Sequence, residues 1–588
     1  MFLSSRAVRT LFLAPVAVVA FAACDGGDDP VNPGLPVPGN LTATALGSTR
    51  IRLTWAPVTN ATTYTIERAN QSGAFAQLGT SNEAAFVDSV GLEPNTQYRY
   101  RVFATSGTNA GIAAEVSTST QQAGQGGATS LPTVITSNRT LSPDTLYQLN
   151  GYTKVLNGAT LTIPAGTRVL GGVASSQTGN TGGALFVYKG AKLVVQGTAA
   201  NPVVFTSSRP VGQRAAGDWG GIVLVGRATS NRGASPVLTE SPGPLVNETD
   251  GSGGTQQAYS QGTDDNDSSG DIRYLRIEFA GFAVSQDNEL NSLSMYAVGR
   301  GTRLEYVQTL NGLDDSFEWF GGTVDGRYLI SYESGDDHFD TSEGYRGRNQ
   351  FLIGYQTYVP AVNPGGSAGG AATDPVFFEA DGCSGGGCSN ASAFESTPYS
   401  MPVFANFTLV GTGPGVLPAA NGGFGLVLRR GTGGSWVNGI VARTGNRAIN
   451  VRDAFTNTLL QRDSLSLRNI FLAENVANFD PEGSNFGQAS KFASFAMDSA
   501  AAGTTASSLF VGVPALAQAP TVTTLDWTPA AGAPAALRTG GLATFPANIA
   551  ARMTSFFGGT LAGTAYRGAA NPDGSNKWWQ GWTSYARN

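Results

Sequence analysis

From Thr133 to the end of the chain, short apolar runs alternate with glycine, asparagine and serine. Leu304 to Val307, Tyr328 to Tyr332 and Phe351 to Tyr355 recur about every two dozen residues, and glycine turns and carboxylates lie between them. Gly158-Ala159-Thr160-Leu161-Thr162-Ile163 aligns with Gly190-Ala191-Lys192-Leu193-Val194-Val195 and with Gly301-Thr302-Arg303-Leu304-Glu305-Tyr306. Such self-similarity marks a repeat architecture. Helical periodicity is absent over most of the span. Strands this short bury their faces by stacking coil on coil, ~4.8 Å apart, around a Leu/Val/Ile interior. The pattern therefore predicts a long parallel β-helix over residues 133–588, with longer insertions at Arg227 to Gly270 and Ala361 to Thr397 and a tryptophan-bearing C-terminal cap. A β-propeller needs four-stranded blades, whereas these strands come singly per repeat.

An earlier stretch has a different period. In Gln97-Tyr98-Arg99-Tyr100-Arg101-Val102-Phe103-Ala104, apolar and polar residues alternate strictly. Leu41, Ile51, Leu53, Trp55 and the run Tyr64 to Arg68 also read as strands. With Trp55 and Leu92-x-Pro94-x-Thr96-x-Tyr98-x-Tyr100, residues 39–120 resemble a fibronectin type III domain, which implies a spacer or protein-contact sandwich. Residues 121–132 are a Gln/Gly linker.

The N-terminus reads as an address. Arg6 and Arg9 precede an apolar run from Leu11 to Ala23, which is shorter than the ~20 residues of a membrane span. Residues 1–23 end in Phe21-Ala22-Ala23 before Cys24, which resembles a bacterial lipobox and implies lipidation of Cys24. A plain signal peptide with an incidental cysteine is the alternative. The acidic Pro/Gly tether at 24–38 opens with Asp25-Gly26-Gly27-Asp28-Asp29, either a surface-export tag or a solvated linker. The expected location is the outer membrane, facing the cell surface, with a lipid anchor as the membrane contact.

The long repeat region also resembles a family of secreted and lipid-anchored bacterial proteins with a pectin-lyase-like right-handed parallel β-helix. The matching strings include Gly217-Asp218-Trp219-Gly220-Gly221, Phe317-Glu318-Trp319-Phe320-Gly321-Gly322, Asp336-Asp337-His338-Phe339-Asp340 and Gly581-Trp582-Thr583. The resemblance implies a fold and no particular activity.

Composition narrows the chemistry. A net charge of −6 supplies no basic footprint for nucleic acid, and a single histidine rules out multi-imidazole sites. Asp314/Asp315 and Asp336/Asp337 are 22 residues apart, about one coil, so they are expected to face each other with Asp340 nearby. Clustered carboxylates call for a cation or an arginine, and an all-oxygen set favours Ca²⁺. Arg327, Arg346 and Arg348 are the competing partners. Asp265 and Asp267 open a second string with calcium-loop spacing, although Arg276 stands where that loop needs a bidentate Glu. His338, between carboxylates, is expected to favour its protonated form. Trp319, Arg346 and Arg348 are candidate ligand contacts on the acidic edge. Cys383 and Cys388 are expected to close a small disulfide loop. No catalytic residue is assigned. The reading is a surface lipoprotein that binds a glycan or an envelope partner, with a polysaccharide lyase or glycoside hydrolase on the same scaffold as the alternative.

Overall fold

The structure, a computed structural model, describes residues 35–587 apart from 48, 71–72, 94, 108, 122–127, 234, 241–256, 286–287, 367–374, 385–387, 389–392, 418–421, 481–488 and 518–523. The signal segment and Cys24 lie outside the described residues. The fibronectin-type sandwich has Thr42–Ala45, Ile51–Thr54 and Ala85–Asp88 in one sheet. The other sheet holds Thr63–Asn70, Ala76–Ser81, Gln97–Ser106, Asn109–Ala110 and Ala114–Ser119. The alternation read in the sequence is the burial pattern: Tyr98, Tyr100, Val102 and Ala104 are buried, while Gln97, Arg99 and Arg101 are not. Trp55 sits in this core with its ring edge-on to Tyr64 at 5.1 Å. The Tyr98 hydroxyl accepts a hydrogen bond from Glu93 N–H (2.8 Å), tying the strand back to its own lead-in.

The remainder is a parallel β-helix. One sheet contains ten parallel strands, including Leu293–Tyr296, Phe317–Phe320, Phe339–Ser342, Phe378–Asp381 and Leu426–Arg429. Their registers are unbroken, so Leu293, Phe317, Phe339, Phe378 and Leu426 form one column. Most of the other strands form a 17-stranded sheet that bends. Its long members, Gly270–Glu278, Arg303–Leu310, Asp325–Tyr332, Arg348–Tyr355 and Val403–Val410, each turn a corner without ending.

The corner has a simple backbone cause. Tyr274, Tyr306, Tyr328, Phe351, Asn406, Asn438 and Asn469 all have φ between +51° and +62°. The flanking registers put these residues in one column, one per coil. A side chain in this left-handed region costs roughly 1–2 kcal/mol, and asparagine tolerates it best. The aromatic members offset the cost by stacking. Tyr274 lies 4.2 Å from Tyr306, Tyr306 lies 4.4 Å from Tyr328, and Tyr328 lies 5.2 Å from Phe351. Such pairs contribute about 0.5–1.5 kcal/mol each.

Beside this column, opposite charges alternate from coil to coil. Asp271 pairs with Arg273, Glu305 with both Arg303 and Arg327, and Asp325 with Arg348. Inside the coils lies a continuous core of Leu, Val, Ile and aromatic side chains. Phe492 and Phe495 belong to this core in the last coils. Trp578, Trp579 and Trp582 belong to a different cluster, along the outside of the bent sheet with Ile330, Tyr332 and Ile353. The expectation that these tryptophans cap the coil end is therefore corrected: they cover a side.

The corner column makes a testable claim. Both Tyr306→Val and Tyr306→Asn remove two ring stacks and an edge-on contact with Trp582, but only valine puts a β-branched residue at positive φ. Valine should lower the stability of the β-helix by about 1–2 kcal/mol more than asparagine, read from denaturant midpoints.

Candidate functional site: a stack of carboxylates

Alternation along the ten-stranded sheet decides which side chains meet. Phe317, Phe339 and Phe378 point inward and stack at 5.5 and 5.1 Å. The next residue in each strand therefore points outward. These residues are Glu318, Asp340 and Glu379, paired in register. The turns leading into these strands add Asp314 and Asp315 on one coil and Asp336 and Asp337 on the next. Successive coils are linked through these turns. Asp337 N–H donates to Asp315 Oδ1 (2.8 Å), and Val376 N–H donates to Asp337 Oδ1 (3.1 Å).

Three overlapping carboxylate triads result: Asp314/Asp315/Asp336, Asp315/Glu318/Asp340 and Asp337/Asp340/Glu379. Within each, one oxygen per residue lies within 4.8 Å of the others. Two like charges at this separation repel by roughly 3–4 kcal/mol at an effective dielectric constant of ~20. Burial pushes the carboxyls of Asp314, Asp315, Glu318, Asp337 and Asp340 well above the usual range, and the surrounding carboxylates push further in the same direction. Glu379 is pushed up to about 7 by burial and then by Asp381, while Arg429 opposes. Asp340 Oδ1 is buried without a hydrogen-bond partner. An oxygen-only set of this density can hold a hard divalent cation such as Ca²⁺.

The arginines expected to neutralise this edge are elsewhere. Arg327 pairs with Glu305, Arg346 with Asp265 (3.0 Å) and Arg348 with Asp325. Arg429 reaches one end of the stack instead, held by Glu379 and by Asp381 (2.6 Å). The other carboxylates of the acidic stretch serve separate networks. Glu333 accepts from Thr357 and Tyr585, and Glu343 from Tyr259 and Ser384.

Several expected site residues take different roles. Trp319 shares the inward parity of Phe317, is fully buried, and stacks on Tyr345 at 5.3 Å, so it presents no surface to a ligand. Arg348 is likewise buried, with its Nε on Asp325 Oδ1 (2.9 Å). Arg346 is about a quarter exposed and is occupied by Asp265. Asp265 also accepts from Thr229 Oγ1 (2.8 Å), and Asp267 accepts from Arg227 N–H (2.9 Å). Both join the two ends of the 227–270 insertion, and neither belongs to a triad. Cys383 and Cys388 form a disulfide, with Cα atoms 5.6 Å apart.

His338 reverses its expectation. Although it follows Asp337, its ring turns inward, lies 4.5 Å from Phe377 and meets Ser331 Oγ at 2.6 Å through Nδ1. Burial lowers its pKa to about 3 and keeps it neutral; hydrogen bonding opposes this weakly. Glu379 was missed because the 361–397 insertion breaks the 22-residue spacing. A signal was nevertheless present in Phe317-Glu318, Phe339-Asp340 and Phe378-Glu379.

Fold and site together define a parallel β-helix protein with an acidic outer face and an N-terminal fibronectin sandwich. The chain belongs to the pectate-lyase-like beta helix domain family, whose profile matches residues 133–513. The fibronectin type III profile matches residues 36–120. No curated protein matches the sequence. Similar solved structures include FN3tt, at 19% identity over 15% of this chain and 97% of that one, with a TM-score of 0.14. The fn3 domain of the human collagen alpha-1(XX) chain is 24% identical over 17% of this chain and 100% of that one, with a TM-score of 0.15. An Fn3-like protein from Clostridium thermocellum is 24% identical over 15% and 92%, with a TM-score of 0.14.

The neutral histidine sets a pH dependence. Its folded pKa lies below the ordinary 6.5, so the unfolded chain takes up the proton first, and stability is lost as pH falls below 6.5. Relative to His338→Gln, the wild type should lose about 2–3 kcal/mol more between pH 7 and pH 4.5. Chemical denaturation at the two pH values measures the difference.

Proposed function

We propose that this protein is a cell-surface lipoprotein, anchored through Cys24, that binds an acidic glycan or an envelope partner through a divalent cation held on the carboxylate stack. The observation carrying this reading is the density of the stack: three overlapping triads with oxygens within 4.8 Å. Ca²⁺ is the cation that best suits the set. It would remove the like-charge repulsion and leave coordination positions open to a ligand's own oxygens. The signal-like N-terminus and the acidic tether support an outer-membrane, outward-facing location. The fibronectin sandwich would serve as a spacer.

A second reading, a polysaccharide lyase, is favoured by the family's likeness to pectate lyases and by Arg429 on the same face as the acids. Binding is preferred because Arg429 is held between Glu379 and Asp381, and proton abstraction needs a base that is free to accept. A glycan array run with and without Ca²⁺, alongside assays for new reducing ends and unsaturated products, separates the two. Ca²⁺-dependent retention without turnover supports binding; turnover establishes the lyase.

The cation itself has a sharper test. Asp315→Asn combined with Asp340→Asn removes repulsion, so in EDTA the variant should melt above the wild type. Millimolar Ca²⁺ should raise the wild-type Tm and leave the variant unchanged. Identical wild-type curves in EDTA and Ca²⁺ would remove the cation from the account.

A further inference from the structure

In the early coils of the bent sheet, Arg168, Val204, Arg276 and Gln308 stand in one register column. Their strand neighbours Val169, Phe205, Leu275 and Ile277 belong to the interior core, so this column points outward. Strands ~4.8 Å apart set Arg168 and Arg276 ~9.6 Å apart at the backbone. Val204, between them, is too short to fill the space between two arginine side chains. The column therefore has a notch with an apolar floor and an arginine on either side.

A cavity of about 270 Å³ opens at this notch, and Arg168, Val204, Arg214, Arg276, Glu278 and Phe279 line it. Its whole lining falls in the compact unit formed by residues 43–53, 87–98 and 118–588. The charges on that lining do not balance: three arginines face two carboxylates, Glu278 and Glu93. Glu278 is taken up by Arg276, whose Nε donates to Glu278 Oε1 at 2.9 Å. Arg214 comes from the 209–218 loop, where its Nε donates to Arg209 O (3.2 Å) and its guanidinium lies 5.9 Å from the Phe279 ring. Arg168 Nε is buried without a hydrogen-bond partner. Burial, and then the charges of Arg214 and Arg276, bring the Arg168 pKa down to about 10, with Glu278 and Glu93 opposing. Three guanidiniums around one cavity, one with an unused donor, suit an anion with several acceptor oxygens.

We propose that this notch binds a small tetrahedral oxyanion, sulfate or phosphate, either free or as the ester group of a small molecule. A tetrahedral dianion offers acceptors in several directions, whereas a carboxylate offers two in one plane. The oxyanion meets Arg168 and Arg276 across Val204 and takes the charge of Arg214 beside them, so it cancels the positive excess. A water's share of liquid is only ~30 Å³, so the cavity has room for an ester's substituent as well. The notch lies on the bent sheet and the carboxylate stack on the ten-stranded one, so this site stands whether or not the stack holds a cation.

Isothermal titration of the full-length chain, in EDTA, tests this with inorganic phosphate, sulfate, acetate and glycerol phosphate. Wild type should bind phosphate and sulfate at one site, at least tenfold more tightly than acetate. Arg168→Gln, which removes the unpartnered guanidinium, should weaken both at least tenfold. It should also lose the rise in Tm that millimolar phosphate gives the wild type over chloride of equal ionic strength. Val204→Phe, which fills the notch and keeps all three arginines, should abolish binding, and it decides alone if Arg168→Gln does not fold. Tighter binding of glycerol phosphate than of inorganic phosphate assigns the site to an ester, and the reverse order to the free ion. No heat at millimolar phosphate and sulfate, acetate as the tightest ligand, or variants that bind as the wild type does would each overturn the oxyanion site.

Discussion

The parallel register between successive coils is the interaction on which everything else depends. Once Phe317 sits over Phe339, and Phe339 over Phe378, each side chain meets its counterpart one coil away. Apolar columns become a core at no extra cost in geometry. Polar columns must solve the problem of like meeting like. The chain solves it in three ways: alternating charges beside the corner, stacking rings at the corner itself, and stacking carboxylates on the ten-stranded sheet. Only the last leaves an excess of one sign.

That excess gives the acidic face its chemical interest. Several buried charges elsewhere are paired: Asp325 has Arg348, Glu305 has two arginines, and Glu333 has hydroxyl donors and Arg587. Against that background, the three triads stand out as a charge imbalance met mainly by Arg429 at one end. Burial makes the imbalance costly, because carboxylates held close together in a poor dielectric favour protonation or a counter-ion. The same burial acts on His338 with the opposite sign, keeping it neutral beside a row of acids.

The fibronectin sandwich was legible from strict alternation, and the solenoid from recurring short strands. The proximity of Asp314/Asp315 to Asp336 followed from a spacing of one coil. Glu379 was hidden by an insertion that lengthens the coil without changing the register. Trp319 is inward by its parity with Phe317, whereas Arg348 shares the outward column of Arg303 and Asp325 and is buried only because Arg552 and Ser555 come to rest against it. The corner column was also hidden, because tyrosine and phenylalanine are poor markers of positive φ. Only the later asparagines, Asn406, Asn438 and Asn469, belong to the residue type that signals it.

Local pattern determined what depends on near neighbours: strand period, turn positions, the sandwich core and the repeat itself. Those properties follow from alternation and backbone preference within a few residues. Tertiary structure decided which charges are paired, which histidine face is dry, and where the C-terminal tryptophans lie. These depend on groups brought together across hundreds of residues, as when Tyr585 meets Glu333. Consecutive apolar pairs such as Leu329-Ile330 and Leu352-Ile353 announced that both faces of the sheet would be covered, but only the folded chain identifies the cover, because burial on an outer face is a property of whatever comes to rest against it.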